Sequence, residues 1–220
     1  MKATQVAETR TPYPVRVSGE LDANLGRWRW LVKWVLAIPH YFCLFFLWTL
    51  FFLLSVVAFF SILFTGRYPR GIFDFNVGVM RWTWRVHFYA CGALATDRYP
   101  PFTLEPVDDY PASFEVDYPE RLSRKLVLVK WWLLALPQLV IVAILLGCGA
   151  SDAFSFGLIG ILALIAGVFL ALRRPYPRDI FNLIMGLNRW VLRVAAYVSL
   201  MRDEYPPFRL DMGPEEPTLA

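Results

Sequence analysis

Arg81 and Arg85 stand four residues apart, and Arg189 and Arg193 repeat that interval later in the chain. On a helix this spacing puts both guanidinium groups on one face, and paired guanidiniums are suited to gripping phosphate or carboxylate oxygens. The stripe is longer than the arginines alone. Asp74, Gly78, Arg81 and Arg85 fall at i, i+4, i+7 and i+11, and Asn182, Gly186, Arg189 and Arg193 fall at identical intervals. The spacing therefore predicts two helices, each with a narrow polar face and a wide belt of residues such as Ile72, Phe73, Phe75, Trp82, Val86 and Tyr89. Such a helix suits the headgroup plane, aromatic side down with arginines reaching phosphates. The other placement, spanning with the stripe turned into a bundle, stays open. Arg67, Arg70 and Arg178 flank Tyr-Pro-Arg corners just before these helices. With Arg81, Arg85, Arg189, Arg193, Trp82 and Trp190 they form the candidate set for binding anionic lipid headgroups or a membrane-protein partner.

No other constellation points to catalysis. A nucleophile with its base, a metal cluster or a phosphate cradle is not visible. His40 sits beside Pro39, and His87 lies among aromatic residues, neither with a second histidine or a carboxylate at ligand spacing. Asp74 is placed to pair with the arginine stripe or to cap a helix start. Cys43, Cys91 and Cys148 have no paired spacing and read as small packing residues. The expectation is a protein that is not an enzyme and needs no cofactor or metal. Basic and aromatic residues cluster at the boundaries of apolar segments, which argues against nucleic acid as a partner.

The elements that would hold the stripes are apolar. Hydrophobic residues make up 57% of the 220 and aromatic ones 17%, with a mean hydropathy of +0.46, more than a soluble domain carries. The run from Trp34 to Phe64 holds one histidine and no formal charge, and about 20 residues suffice to cross a bilayer as a helix. The polar first thirty residues do not resemble a cleaved signal peptide.

The chain also repeats itself. LVKWVLAIPH at Leu31 answers LVKWWLLALPQ at Leu128, RYPRGIFDF answers PYPRDIFNL, GVMRWTWRVHFY answers GLNRWVLRVAAY, and DRYPPF answers DEYPPF. The expected layout is an N-terminal tail over 1–12, one unit over 13–107, an acidic linker over 108–117, a second unit over 118–212 and a tail over 213–220. The motifs LVKW, A-(I/L)-P, YPR, RW-x-x-RV and YPPF resemble a bacterial membrane-protein family catalogued as a domain of unknown function, here present twice. That resemblance implies membrane residence and adds no catalytic residue. The second copy has Pro175 where the first has Arg67, and Gln138 where the first has His40.

In the second unit, the small polar connection from Gly147 to Gly157 separates two apolar runs and predicts a helical hairpin. Lys and Arg precede and follow it while none lies in the connection, so its tip should face away from the cytoplasm. The repeat suggests the same for the first unit, with a tip near Trp48 and Thr49. A single span from Trp34 to Phe64, bent at Pro39, is the alternative. The expected fold is thus all-α and integral to the membrane, two tandem repeats, each a transmembrane hairpin followed by an amphipathic interfacial helix. The expected setting is the bacterial cytoplasmic membrane, multi-pass, with anionic lipids, a membrane protein or a second copy as partners. A small transporter or accessory transporter subunit is the runner-up, and a lipid-modifying enzyme a remote third.

Overall fold

The structure is a computed structural model that describes residues 13–147 and 157–215. It is mostly helical, in the order β1 (Val15–Gly19), α1 (Arg29–Leu36), α2 (Ile38–Thr65), α3 (Arg70–Ala90), β2 (Ala112–Val116), α4 (Leu126–Val129, continued by a π turn over Lys130–Leu134), α5 (Leu136–Leu146), α6 (Leu158–Ala171) and α7 (Arg178–Val198). The prolines act where expected. Pro39 and Pro137 each sit at the start of a helix, two residues past the breaks at Ala37 and Ala135, because a proline ring clashes with the preceding turn and supplies no N–H.

The hairpin expected in the first unit is not formed. Ile38–Thr65 is one uninterrupted helix, with Trp48 and Thr49 in its middle. Apolar character alone does not place a turn; chain reversal needs a breaker, and none occurs before Gly66, which caps the helix at φ 72°. With α1 it forms a rod from Arg29 to Thr65, long and apolar enough to cross a membrane and only 17% buried in its most apolar window. A core helix of a soluble protein would be mostly covered.

The second unit builds the same rod from two pieces. Trp190 near the end of α7 bonds Gln138 at the start of α5, and Leu187 packs with both Leu145 and Ile159. Ala163, Ala166 and Leu170 share a cluster with Ile180, Phe181 and Ile184 at the start of α7. So α5 and α6 follow one another along α7 rather than lying side by side. Gly157 is close enough to Gly147 that a Cβ on it would stand 2.3 Å from the Gly147 nitrogen. The connection between these glycines, with Cys148, Ser151, Phe154 and Phe156, lies outside the described residues. The two legs expected side by side in the second unit are thus arranged end to end against α7.

The chain is also not all-α. β1 and β2 pair antiparallel, Val17 opposite Phe114, and β2 falls within the stretch expected to be linker. Both strands carry the period-two signature, Val15, Val17, Ala112 and Phe114 inward with Arg16 and Glu115 outward. The sheet rests on α3 and α7. Around its centre the two units repeat by an approximate twofold.

Candidate functional site

Both arginine stripes form on single helices as the spacing requires, α3 and α7, but they face inward. Arg85, Arg189 and Arg193 are 1%, 0% and 1% exposed. Arg81 donates from Nε to the Phe114 carbonyl of β2 at 3.0 Å and from Nη1 to the Leu104 carbonyl at 2.9 Å. Arg189 mirrors it, donating from Nε and Nη2 to the Val17 carbonyl of β1 at 3.1 and 2.9 Å and from Nη1 to the Asp211 carbonyl. Val17 and Phe114 are cross-strand partners. Each stripe therefore clamps the sheet at its midpoint, the five-donor guanidinium satisfying several backbone carbonyls at once.

The second arginine of each stripe holds the segment after its YPPF. Arg85 donates to the Glu105 carbonyl, and Arg193 pairs with the Asp211 carboxylate at 2.6 Å. Gly78 and Gly186 let those segments approach, since a Cβ on Gly78 would stand 2.8 Å from Leu104 Cβ and one on Gly186 3.1 Å from Leu210 Cγ. Burial brings the Arg85 guanidinium down to about 10, with Arg81 nearby pushing the same way against Tyr110, so it stays cationic at neutral pH. Arg85, Arg189 and Arg193 are thus buried against protein carbonyls and a carboxylate instead of standing at a surface. The spacing reported a shared face; it did not report what that face meets. Trp82 is buried and Trp190 half-buried, donating to His40 Nδ1 at 3.0 Å and Gln138 Oε1 at 2.6 Å.

A second repeated pair was missed. Lys33 and Lys130, each the lysine of an LVKW motif, are 2% and 1% exposed and reach Asp97 and Asp203, each at 2.8 Å. Each ammonium also lies over a tyrosine, Tyr89 and Tyr197, at 5.4 and 5.2 Å. The signal was present: a lysine inside LVKW and an aspartate two residues before YPPF occur in both units.

His87 has a neighbour that sequence spacing alone did not single out. Its Nδ1 is 3.4 Å from the sulfur of exposed Cys91, which Tyr41 approaches at 3.4 Å from the other side. Desolvation of the sulfur by the atoms packed round it pushes the thiol up, but the imidazole and these hydrogen bonds outweigh it and hold it below the ordinary thiol range. The corresponding position of α7's end is Ser199, so this pair belongs to the first unit alone.

The corners gather several exposed arginines. Arg67 joins Arg121 and Arg124 around a cleft of about 430 Å³ at Thr65 and Gly66. The mirrored corner is larger, about 1030 Å³, where Arg173, Arg174 and Arg178 meet Arg27 and Arg29. In both, the end of one unit's rod meets the start of the other: the Leu122 N–H donates to the Gly66 carbonyl at 2.9 Å, and Arg27 Nε to the Ala171 carbonyl at 2.8 Å. Carboxylates also line the larger cleft, Glu20, Asp22 and Asp97 among them. Arg70 is exposed and lies 4.8 Å over the Tyr118 ring.

Residues 27–103 match a family model described as a domain of unknown function, DUF4389. The matched stretch holds α1, α2, α3 and the RYPPF segment. Comparison with curated proteins and with solved structures gave no match.

Proposed function

We propose that this chain is a non-enzymatic membrane-embedded protein whose two arginine corners bind anionic lipid headgroups, in a scaffold or accessory role at a cell membrane. One observation carries the reading: two clusters of exposed arginines stand at the ends of rods whose apolar side chains are largely uncovered, Phe42 at 66%, Phe45 at 69% and Phe64 at 72%. Apolar surface on this scale marks a membrane or protein contact, and guanidiniums at its edge stand where phosphates lie. Arg67 and Arg178, with Arg124, carry the headgroup contact; the buried Arg85, Arg189 and Arg193 and the half-buried Arg81 hold the scaffold that spaces them.

The test is headgroup selectivity of the full chain reconstituted in phosphatidylcholine, read from spin-labelled phosphatidylglycerol against spin-labelled phosphatidylcholine. Each arginine near an anionic surface is worth about 1 kcal/mol, so Arg67→Gln, Arg124→Gln and Arg178→Gln should each lower the preference about fivefold at the headgroup they contact. Selectivity unchanged in the triple variant, with thermal unfolding also unchanged, overturns the reading.

A further inference from the structure

We propose that the protein is monotopic, lying flat in one leaflet with its approximate twofold axis along the membrane normal, the rods among the acyl chains and the sheet toward water. This rests on the lipid reading above and adds the geometry of the surface that meets the lipid.

Three successive turns of α3 touch the sheet: Arg81 bonds the Phe114 carbonyl, Trp84 donates to the Ser18 carbonyl at 3.1 Å, and Phe88 lies against Gly19. The α3 axis therefore runs along the sheet face. On its far side α3 meets α2, through Trp82 to His40, Trp48 to Thr83 at 3.0 Å and Asn76 to Ser55 at 3.3 Å. These pairs make α2 antiparallel to α3, and α7 holds α5 and α6 in the same way. The result is a slab: sheet above, α3 and α7 in the middle, rods below.

Polarity follows the same order. The outer face of the sheet carries Arg16 paired with Glu115 and Asp117, side chains 45%, 51% and 49% exposed. The middle layer is almost wholly covered. The rods expose Phe42, Phe52, Phe60, Val140, Ile144 and Leu164, and an apolar groove of about 650 Å³ between α2 and α3 opens beside Trp48 and Phe52.

Standing α2 upright across a bilayer would defeat this order. Arg81 and Thr83 lie midway along α3, level with the middle of α2, so an upright α2 would carry the sheet and its Arg16, Glu115 and Asp117 to mid-depth, where charge is costly. Laid flat, the slab meets no such conflict. A helix with side chains is roughly 10–12 Å across, which fits one leaflet of about half the 30 Å hydrocarbon core. Both arginine corners then fall on one rim, at one depth, with exposed Trp28 lying against Arg27 at one of them. Charge complementarity selects the occupant: arginines and tryptophans bordering an apolar face match phosphates above acyl chains. A flat apolar protein partner would bring no anion to Arg67, Arg121 and Arg124, whose cleft is lined by no carboxylate among the described residues.

Depth along the rod decides the matter. In a chain with Cys43, Cys91 and Cys148 changed to serine, the exposed α2 sites receive single cysteines, Phe42→Cys, Phe52→Cys or Phe60→Cys. Each carries a bimane in vesicles of phosphatidylcholine and phosphatidylglycerol, quenched by lipids spin-labelled near the headgroup or deep in the chain. The same shallow-to-deep quenching ratio at all three sites supports a flat rod. A ratio that runs from shallow through deep to shallow along α2 means a crossing and overturns it. No quenching at any site means a protein partner covers the face, which overturns it equally. Repeating the measurement in pure phosphatidylcholine separates the two proposals, since depth there does not depend on anionic headgroups: loss of selectivity without loss of the flat profile counts against the headgroup reading alone.

Discussion

In the first unit Trp82 gives its indole N–H to His40; in the second Trp190 gives its own to Gln138. His40 stacks on Phe102 with centroids 3.9 Å apart, while Gln138 instead donates to the Pro206 carbonyl at 3.0 Å. The comparable arginines differ likewise, Arg85 bonding a backbone carbonyl and Arg193 a carboxylate. What recurs is an acceptor at a given place, whatever residue supplies it. By contrast Lys33 with Asp97 and Lys130 with Asp203 recur atom for atom, as expected where both charge and geometry are needed to bury an ammonium. The two units thus separate positions where the fold demands one residue from those where it demands only a hydrogen-bonding role.

The sharpest way to break this equivalence is at the ion pairs. Asp97→Ala and Asp203→Ala each leave a buried lysine without its carboxylate, and each should cost about 3–5 kcal/mol in thermal or denaturant unfolding. Comparable losses mean the units are equivalent in energy as well as shape; a loss confined to one would break the comparison. The glycines should show a smaller and unequal effect. Gly78→Ala drives a methyl against Leu104 Cβ at 2.8 Å and its carbonyl at 3.1 Å and should cost about 1–3 kcal/mol. Gly186→Ala meets first the movable end of Leu210 at 3.1 Å, so its unfolding midpoint should fall less; the reverse ranking would show that the second segment is the tighter one. The smallest effect concerns the exchangeable acceptor. His40→Gln writes the second unit's residue into the first and should keep most of the stability, whereas His40→Ala strands the Trp82 N–H and should cost about 1–3 kcal/mol. Equal losses for the two would show that stacking on Phe102, not the hydrogen bond, is what His40 supplies.

Several features were legible before any coordinates. The repeat, the stripes on α3 and α7, and the breaks beside Pro39 and Pro137 all follow from local periodicity and backbone restriction. Strand β2 was legible in principle, through the alternation in Ala112–Val116, but an acidic, proline-flanked setting disguised it as linker. The hairpins were misread for a different reason. Charge bias at the ends of an apolar run is the same for a reversal through the membrane and for a rod whose two ends share one rim.

Which residues share a helix face and which positions recur in both units can be read from the linear chain, because periodicity and duplication are local to it. What each face meets is set by the folded arrangement. The Arg189 side chain bonds Val17, 172 positions away, and Arg67 gathers with arginines of the other unit. Burial of a charge depends on partners that distant parts of the chain bring to it, and local spacing carries no record of them.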